Sequence, residues 1–211
     1  MIPEVTATGS HQRKLLIGIT GGIGAGKSVV SRILRLKGYP VYDCDSRARA
    51  LMEESEYILN SLCGRFGNEC LLEGGSLNRG YIASRVFADE EERLWLNALV
   101  HREVHADLKS WFEAAESDPC FVESAILVTS HLDAMCDRIW LVDAPEELRL
   151  SRGLERGGIE RENLMKRMEA QSREFETLLE DKTDVIMNDG IHSLLARIDV
   201  LLKGITETSD N

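Results

Sequence analysis

The chain has 211 residues, with 25 Lys plus Arg against 36 Asp plus Glu and a formal charge of −11. That length predicts one domain with room for a small insertion, able to bury about 70% of its extended surface without a disulfide or metal staple. Hydrophobic residues at 43% and charged residues at 29% exclude disorder for most of the chain, and the acidic balance argues against nucleic acid as the main partner, because it repels phosphate backbones.

Residues 1–14 combine Pro3, Gly9 and Ser10 with scattered polar groups and lack an apolar h-region. They are expected to form a disordered tail rather than a signal peptide. Leu15 to Thr20 is a short apolar run, read as a strand buried on both faces. Gly21-Gly22-Ile23-Gly24-Ala25-Gly26-Lys27-Ser28 then fits G-x-x-x-x-G-K-[ST] between that strand and a helix expected over Val29–Lys37. Glycines let the backbone wrap closely enough for successive N–H groups to point at phosphate oxygens, and the helix start adds its positive end. The Lys27 ammonium reaches the outer phosphates and the Ser28 hydroxyl is placed to ligate Mg²⁺. The loop predicts binding of a nucleoside triphosphate and does not name the acceptor.

Tyr39 to Tyr42 reads as a second strand running into Asp43-Cys44-Asp45, which completes a strand–helix–strand unit of a parallel sheet. Ligands bind outside the carboxyl ends of such strands, so Asp43 and Asp45 are candidates to orient a hydroxyl or to hold the water of a metal. The alternative is a carboxylate capping the next helix, and spacing does not separate the two roles. From Ser46 to Ser117 no strand is expected. Ala48–Leu62 and Ile82–Ala115 read as helices, the second with a Leu94, Leu96, Leu99, Val100, Val104, Leu108 stripe. His101 and His105 stand at i, i+4 but lack the H-E-x-x-H pattern of a zinc site. Trp95, Trp111 and Trp140 are read as core or groove walls.

Further strands are expected at Cys120–Glu123, Ile139–Asp143 and Asp184–Met187, a helix from Pro145 and a closing helix over Ile191–Leu202. Arg149, Arg152 and Arg156 share a helical face, and with Arg161, Arg167 and the Gly157-Gly158 break they suggest a mobile lid carrying guanidinium groups to transferring phosphates. One or two are expected to be functional, Arg156 foremost because it precedes the glycines. The resulting fold is a three-layer α/β/α P-loop type with a mostly parallel five-stranded sheet: core 15–45, 118–156 and 183–203, helical insertion 46–117, lid 157–182. No apolar run approaches the ~20 residues that span a bilayer. The cysteines Cys44, Cys63, Cys70, Cys120 and Cys136 are odd in number without C-x-x-C spacing, as for reduced thiols. A cytoplasmic location is expected.

Leu16 to Ser28 followed by Val41-Tyr42-Asp43-Cys44-Asp45 resembles the dephospho-CoA kinase family, with its GLTGGIGSGKS-like loop and D-A-D motif. The likeness continues through Leu77-Asn78-Arg79, Val86-Phe87, His101, Asp137 to Val142, Arg156, Arg167 to Gln171 and Thr183 to Asn188. It departs at Asn78 and Arg102, which replace an Asp and a Pro of the family pattern, and at Ala125 to Thr129, which lacks a motif carboxylate. The resemblance implies transfer of the ATP γ-phosphoryl group to the ribose 3′-hydroxyl of dephospho-CoA, with Mg²⁺, in a monomer or weak homo-oligomer. It implies Asp45 as base, Asp43 beside the metal's water, and Thr20, Lys27 and Arg156 at the phosphates. Gly21 to Val29, including Ile23, Gly24, Ala25 and Gly26, would cradle ATP; Arg79, Phe87 and His101 would meet the acceptor. A nucleoside monophosphate or other metabolite kinase shares the same core, and a nucleotide switch is the alternative from another class, although N-K-x-D is absent.

Overall fold

The computed structural model describes residues 13–209. Five strands, β1 (Leu16–Gly21), β2 (Val41–Asp43), β3 (Cys120–Glu123), β4 (Arg138–Asp143) and β5 (Thr183–Met187), form one sheet in the order β2-β3-β1-β4-β5. Every neighbouring pair is parallel. Covering both faces requires that β1 be apolar throughout, and all six of its residues are buried. Its side chains alternate between two cores. Ile17 and Ile19 join Val30 and Leu34 of α1 (Lys27–Leu36) and Ile198, Leu201 and Leu202 of α8 (Leu194–Ser209) on one face. Leu16 joins Leu127, Leu132 and the insertion helices on the other. Between them, Gly18 makes room for the second layer: a Cβ there would lie 2.8 Å from Leu127 Cδ2.

The insertion consists of α2 (Cys44–Glu54), α3 (Glu56–Phe66), α4 (Arg79–Ala88) and α5 (Glu90–Ala114). Two expected helices are therefore each split. Ser55 ends α2 and caps α3 by accepting from the Ile58 amide at 3.3 Å. Asp89 ends α4 and caps α5 by accepting from the Glu91 amide at 2.8 Å. The closing helix begins at Leu194 rather than Ile191. Among the described residues of 46–117, pairing is limited to an isolated Leu71–Leu77 bridge. The segment expected to form a lid comprises the turn after α6 (Glu146–Glu155), α7 (Arg161–Ser172) and the stretch to β5. Of the tail expected over 1–14, residues 1–12 lie outside the described residues. Lys14 is fixed: its Nζ donates to the Phe112 carbonyl and to that of Ala115 at 2.6 Å. The tryptophans are walls: Trp140 is fully buried against Phe121, Trp111 packs on Tyr42 and Trp95 on Phe66. The five cysteines are free thiols, with Cys63 and Cys70 in contact at 3.4 Å.

One polar network fixes the turn from β2 into α2. Asp107 on α5 accepts from the Tyr42 hydroxyl at 2.6 Å and, in a bidentate fork, from Arg47 at 3.0 and 2.9 Å. The Arg47 bonds, and after them the Tyr42 bond, hold the Asp107 carboxyl below its usual range. Because its folded pKa is depressed, its stabilisation is present above about pH 4 and is lost as pH falls through the lower folded value. Asp107→Asn is expected to cost about 1–2 kcal/mol at pH 7, discounted for the partial exposure of Arg47. In urea titrations the gap between the two proteins should narrow at pH 3; a gap independent of pH would contradict it.

Candidate active site

The carboxyl ends of β1, β2 and β3 meet at one edge of the sheet, and Gly21 to Gly26 leave β1 there. Gly24 and Gly26 are left-handed, with φ of 77° and 103°. A Cβ would lie 2.2 Å from the Arg149 carbonyl at the first and 2.1 Å from Asn188 Nδ2 at the second, so glycine is required for both conformation and space. The loop's outer carbonyls are taken by side chains. Ile23 O accepts from Arg149 Nε at 3.2 Å, Gly24 O from Arg152 Nη1 at 3.3 Å and Ala25 O from Asn188 Nδ2 at 2.8 Å. Lys27 Nζ bonds Gly21 O at 2.6 Å. Holding a glycine loop by its carbonyls directs its remaining amides to the concave side, where an anion binds; the Ala25 amide is taken by the Gly22 carbonyl at 3.1 Å. No side chain caps α1, and its first turn carries no acidic residue, so its positive end is open to the same anion. Ser28 and Val29 are exposed on that turn.

The two aspartates separate by environment. Asp43 is the N-cap of α2, accepting from the Ser46 amide at 3.1 Å and the Ser46 hydroxyl at 2.8 Å. Asp45, in the first turn of that helix, is exposed, and among the described residues nothing donates to its carboxylate. Glu123, the register partner of Asp43, ends β3. Burial lowers the pKa of Lys27, Glu123 and then Asp45 oppose that shift, and Arg156 and Arg149 add to it. Two carboxylates and two guanidinium groups thus act on this one ammonium.

The arginines divide in the same way. Arg149 and Arg152 shape the loop from behind, Arg149 also pairing with Asp143 at 3.5 Å and Arg152 donating to the Asn188 carbonyl at 3.0 Å. Arg156 is exposed at the end of α6, just before Gly157 and Gly158 at φ 74° and 80°. Arg161 and Arg167 are exposed on α7. The lid's tie to the loop is Gln171, whose Oε1 accepts from the Ile23 amide at 2.7 Å. Residue spacing holds no sign of this contact. Asn188 was accessible to sequence reasoning, since it follows β5 at the ligand-bearing edge; Glu123 stands at the same edge.

The acceptor-side positions are only partly gathered. His101 and Asp45 line a cavity of about 160 Å³ with Cys44, Val100, Val104 and Ile126. Burial, followed by the charges of His105 and His131, lowers the His101 pKa, while His105 Nε2 lies 2.6 Å from the Ser130 carbonyl. Arg79 and Phe87 do not line that cavity: Arg79 pairs with Glu53 at 2.7 Å, and Phe87 is 86% exposed. Asn78, in place of the expected aspartate, still caps α4 by accepting from the Tyr81 amide at 3.1 Å. Thr20 is fully buried, and among the described residues its hydroxyl has no hydrogen-bond partner. A larger groove of about 740 Å³, lined by Arg35, Tyr39 and Trp111 among others, holds none of the expected site residues. No cluster of three His, Cys, Asp or Glu side chains among the described residues is arranged to hold a metal, and no described helix is long and apolar enough to cross a membrane.

A sequence model of the dephospho-CoA kinase family matches residues 15–193. The dephospho-CoA kinase of Porphyromonas gingivalis is 40% identical over 184 residues, covering 87% of this chain and 91% of that protein. A crystal structure from Thermus thermophilus superposes with a TM-score of 0.73 at 31% identity, covering 91% of this chain and 98% of that one. The dephospho-CoA kinase of Campylobacter jejuni shares the fold, with a TM-score of 0.63 at 21% identity over 92% and 97% of the two chains.

Proposed function

The chain belongs to the dephospho-CoA kinase family, and from that premise we propose how its own residues transfer the γ-phosphoryl group of ATP to the ribose 3′-hydroxyl of dephospho-CoA. The observation that carries this reading is the Asp45 carboxylate, unpaired among the described residues, whose charge acts on Lys27 and which lines the His101 cavity. The loop amides and Lys27 hold the triphosphate. Asp45 accepts the proton of the 3′-hydroxyl as that oxygen attacks, and Asp43 keeps the Asp45 turn in place through its cap. Arg156 swings in on the glycine pair and neutralises charge on the transferring group. The largely apolar cavity that Asp45 and His101 line is of a size to hold part of the acceptor against α2 and α5. Arg79 and the exposed Phe87, outside that cavity, meet more distant parts of the acceptor, and Thr20 acts at the phosphates from the buried end of β1.

Mg²⁺ suits this set. It binds through one or two protein oxygens plus phosphates and waters rather than in a protein cage, and the exposed Ser28 hydroxyl with Asp43 through a water offers that. When bound it would offset negative charge between the phosphates. A metabolite acceptor, five free thiols and the acidic surface fit a cytoplasmic monomer or weak homo-oligomer. Incubation with ATP, Mg²⁺ and dephospho-CoA should give a product heavier by one phosphoryl group, identified by mass as the 3′-phosphate. Phosphorylation of a nucleoside monophosphate and not of dephospho-CoA would replace this reading with the monophosphate kinase alternative.

A further inference from the structure

Gln171, on the last turn of α7, joins segments far apart in the chain. Its Oε1 accepts from the Ile23 amide at 2.7 Å across 148 residues, and its Nε2 donates to the Ala125 carbonyl at 3.0 Å across 46. Ala125 lies two residues beyond Glu123, the carboxylate that acts on Lys27. A carboxamide offers an acceptor and a donor at once, which is what a bridge between an N–H and a C=O demands. The side chain of Ile23 is held by the same part of the molecule, packed on Leu150 of α6 and on Leu164 and Met168 of α7. Three residues further on, the buried Glu174 accepts from the Val128 and Thr129 amides at 2.6 and 3.0 Å and from the Thr129 hydroxyl. The 125–129 stretch is thereby tied to the segment after α7. One phosphate-loop residue is gripped by the lid at both its backbone and its side chain, and the far end of the lid is pinned to the loop after β3.

We propose that Gln171 is a positioning residue that couples the lid to the phosphate loop, so that residues 157–182 settle on the nucleotide in step with the Ile23 amide and keep water out while the alcohol attacks. Its effect on phosphoryl transfer rests on the kinase reading above. Its coupling of lid to loop does not, because that needs only nucleotide.

The test compares wild type, Gln171→Ala and Gln171→Glu. The second variant keeps an acceptor for the Ile23 N–H but turns an oxygen toward the Ala125 carbonyl. In Gln171→Ala, ATP hydrolysed per phosphoryl group transferred to dephospho-CoA should rise at least ~10-fold as water gains access, with Gln171→Glu between it and wild type. A non-hydrolysable ATP analogue should protect the lid bonds after Arg161, Arg167 and Arg173 from trypsin in wild type, and this protection should be lost in Gln171→Ala at an unchanged melting temperature. An unchanged hydrolysis ratio with intact protection, or transfer and hydrolysis falling together, overturns the proposal. If Gln171→Ala does not fold, Gln171→Glu decides by the same two readouts. If the wild type fails to phosphorylate dephospho-CoA, the kinase reading falls, and trypsin protection still judges the coupling.

Discussion

Asparagine at position 45 is expected to lower kcat at least about 10²-fold while leaving the affinity for ATP within about twofold of wild type. The substitution preserves the size of the side chain and its place in the first turn of α2, and among the described residues it disturbs no hydrogen bond, because none reaches the Asp45 carboxylate. What it removes is the proton acceptor needed as the hydroxyl attacks and the lesser of the two carboxylate charges that favour the Lys27 ammonium, with Glu123 left in place. Asparagine at position 43 is the informative contrast. Its amide oxygen can still accept from the Ser46 amide, so the α2 cap survives, and the loss should be several-fold smaller. Paired kcat measurements on the two variants decide the assignment. A larger loss at 43 than at 45 would make Asp43 the base and leave Asp45 as a surface residue of the helix.

That distinction was out of reach of residue spacing, and the reason is physical. Asp43 and Asp45 stand at i and i+2, which would share a side if β2 continued, but the strand ends at Asp43 and the helix begins at Cys44. One residue of register thus sends one carboxylate into a cap and the other into the open. The phosphate loop was legible because its requirements are local: two left-handed glycines, a lysine and a hydroxyl inside eight residues, flanked by an apolar run and an amphipathic helix. The strands were legible as short apolar runs, most plainly β1, which is buried throughout; the edge strand β5, with one buried residue, carries the weakest signal. Helix breaks at Ser55 and Asp89 were not legible, although each is a capping residue followed by acidic side chains at Glu56 or at Glu90 to Glu92. Arg149 and Arg152 share a helical face with Arg156 and carry the same charge, yet they hold loop carbonyls. A guanidinium in sequence does not disclose whether its partner is a phosphate or a backbone oxygen. Contacts such as those of Gln171 depend on the whole fold and leave no local trace.

Methionine at position 27 should reduce kcat/KM for ATP by about 10³-fold, the scale of losing a charged donor in a water-poor phosphate site. The ammonium bonds the Gly21 carbonyl at 2.6 Å and is favoured by the charges of Glu123 and Asp45, which act against the desolvation that lowers its pKa. Methionine fills similar volume but leaves that carbonyl unanswered and the two carboxylates repelling the incoming triphosphate, so binding and turnover should both suffer. The same charges set an alkaline limb. In the free enzyme Lys27 must be protonated to take up ATP, so kcat/KM falls as pH rises through a pKa below that of an ordinary lysine. Glu123 is the strongest charge keeping that proton in place. Glu123→Gln should therefore move the limb to lower pH, in the direction that burial and the arginines already push. The pH profile of kcat/KM for the two proteins measures this. A limb that stays where it was, or moves upward, would mean that Glu123 does not govern Lys27 and that the ammonium draws its stability from the loop carbonyl and Asp45 alone.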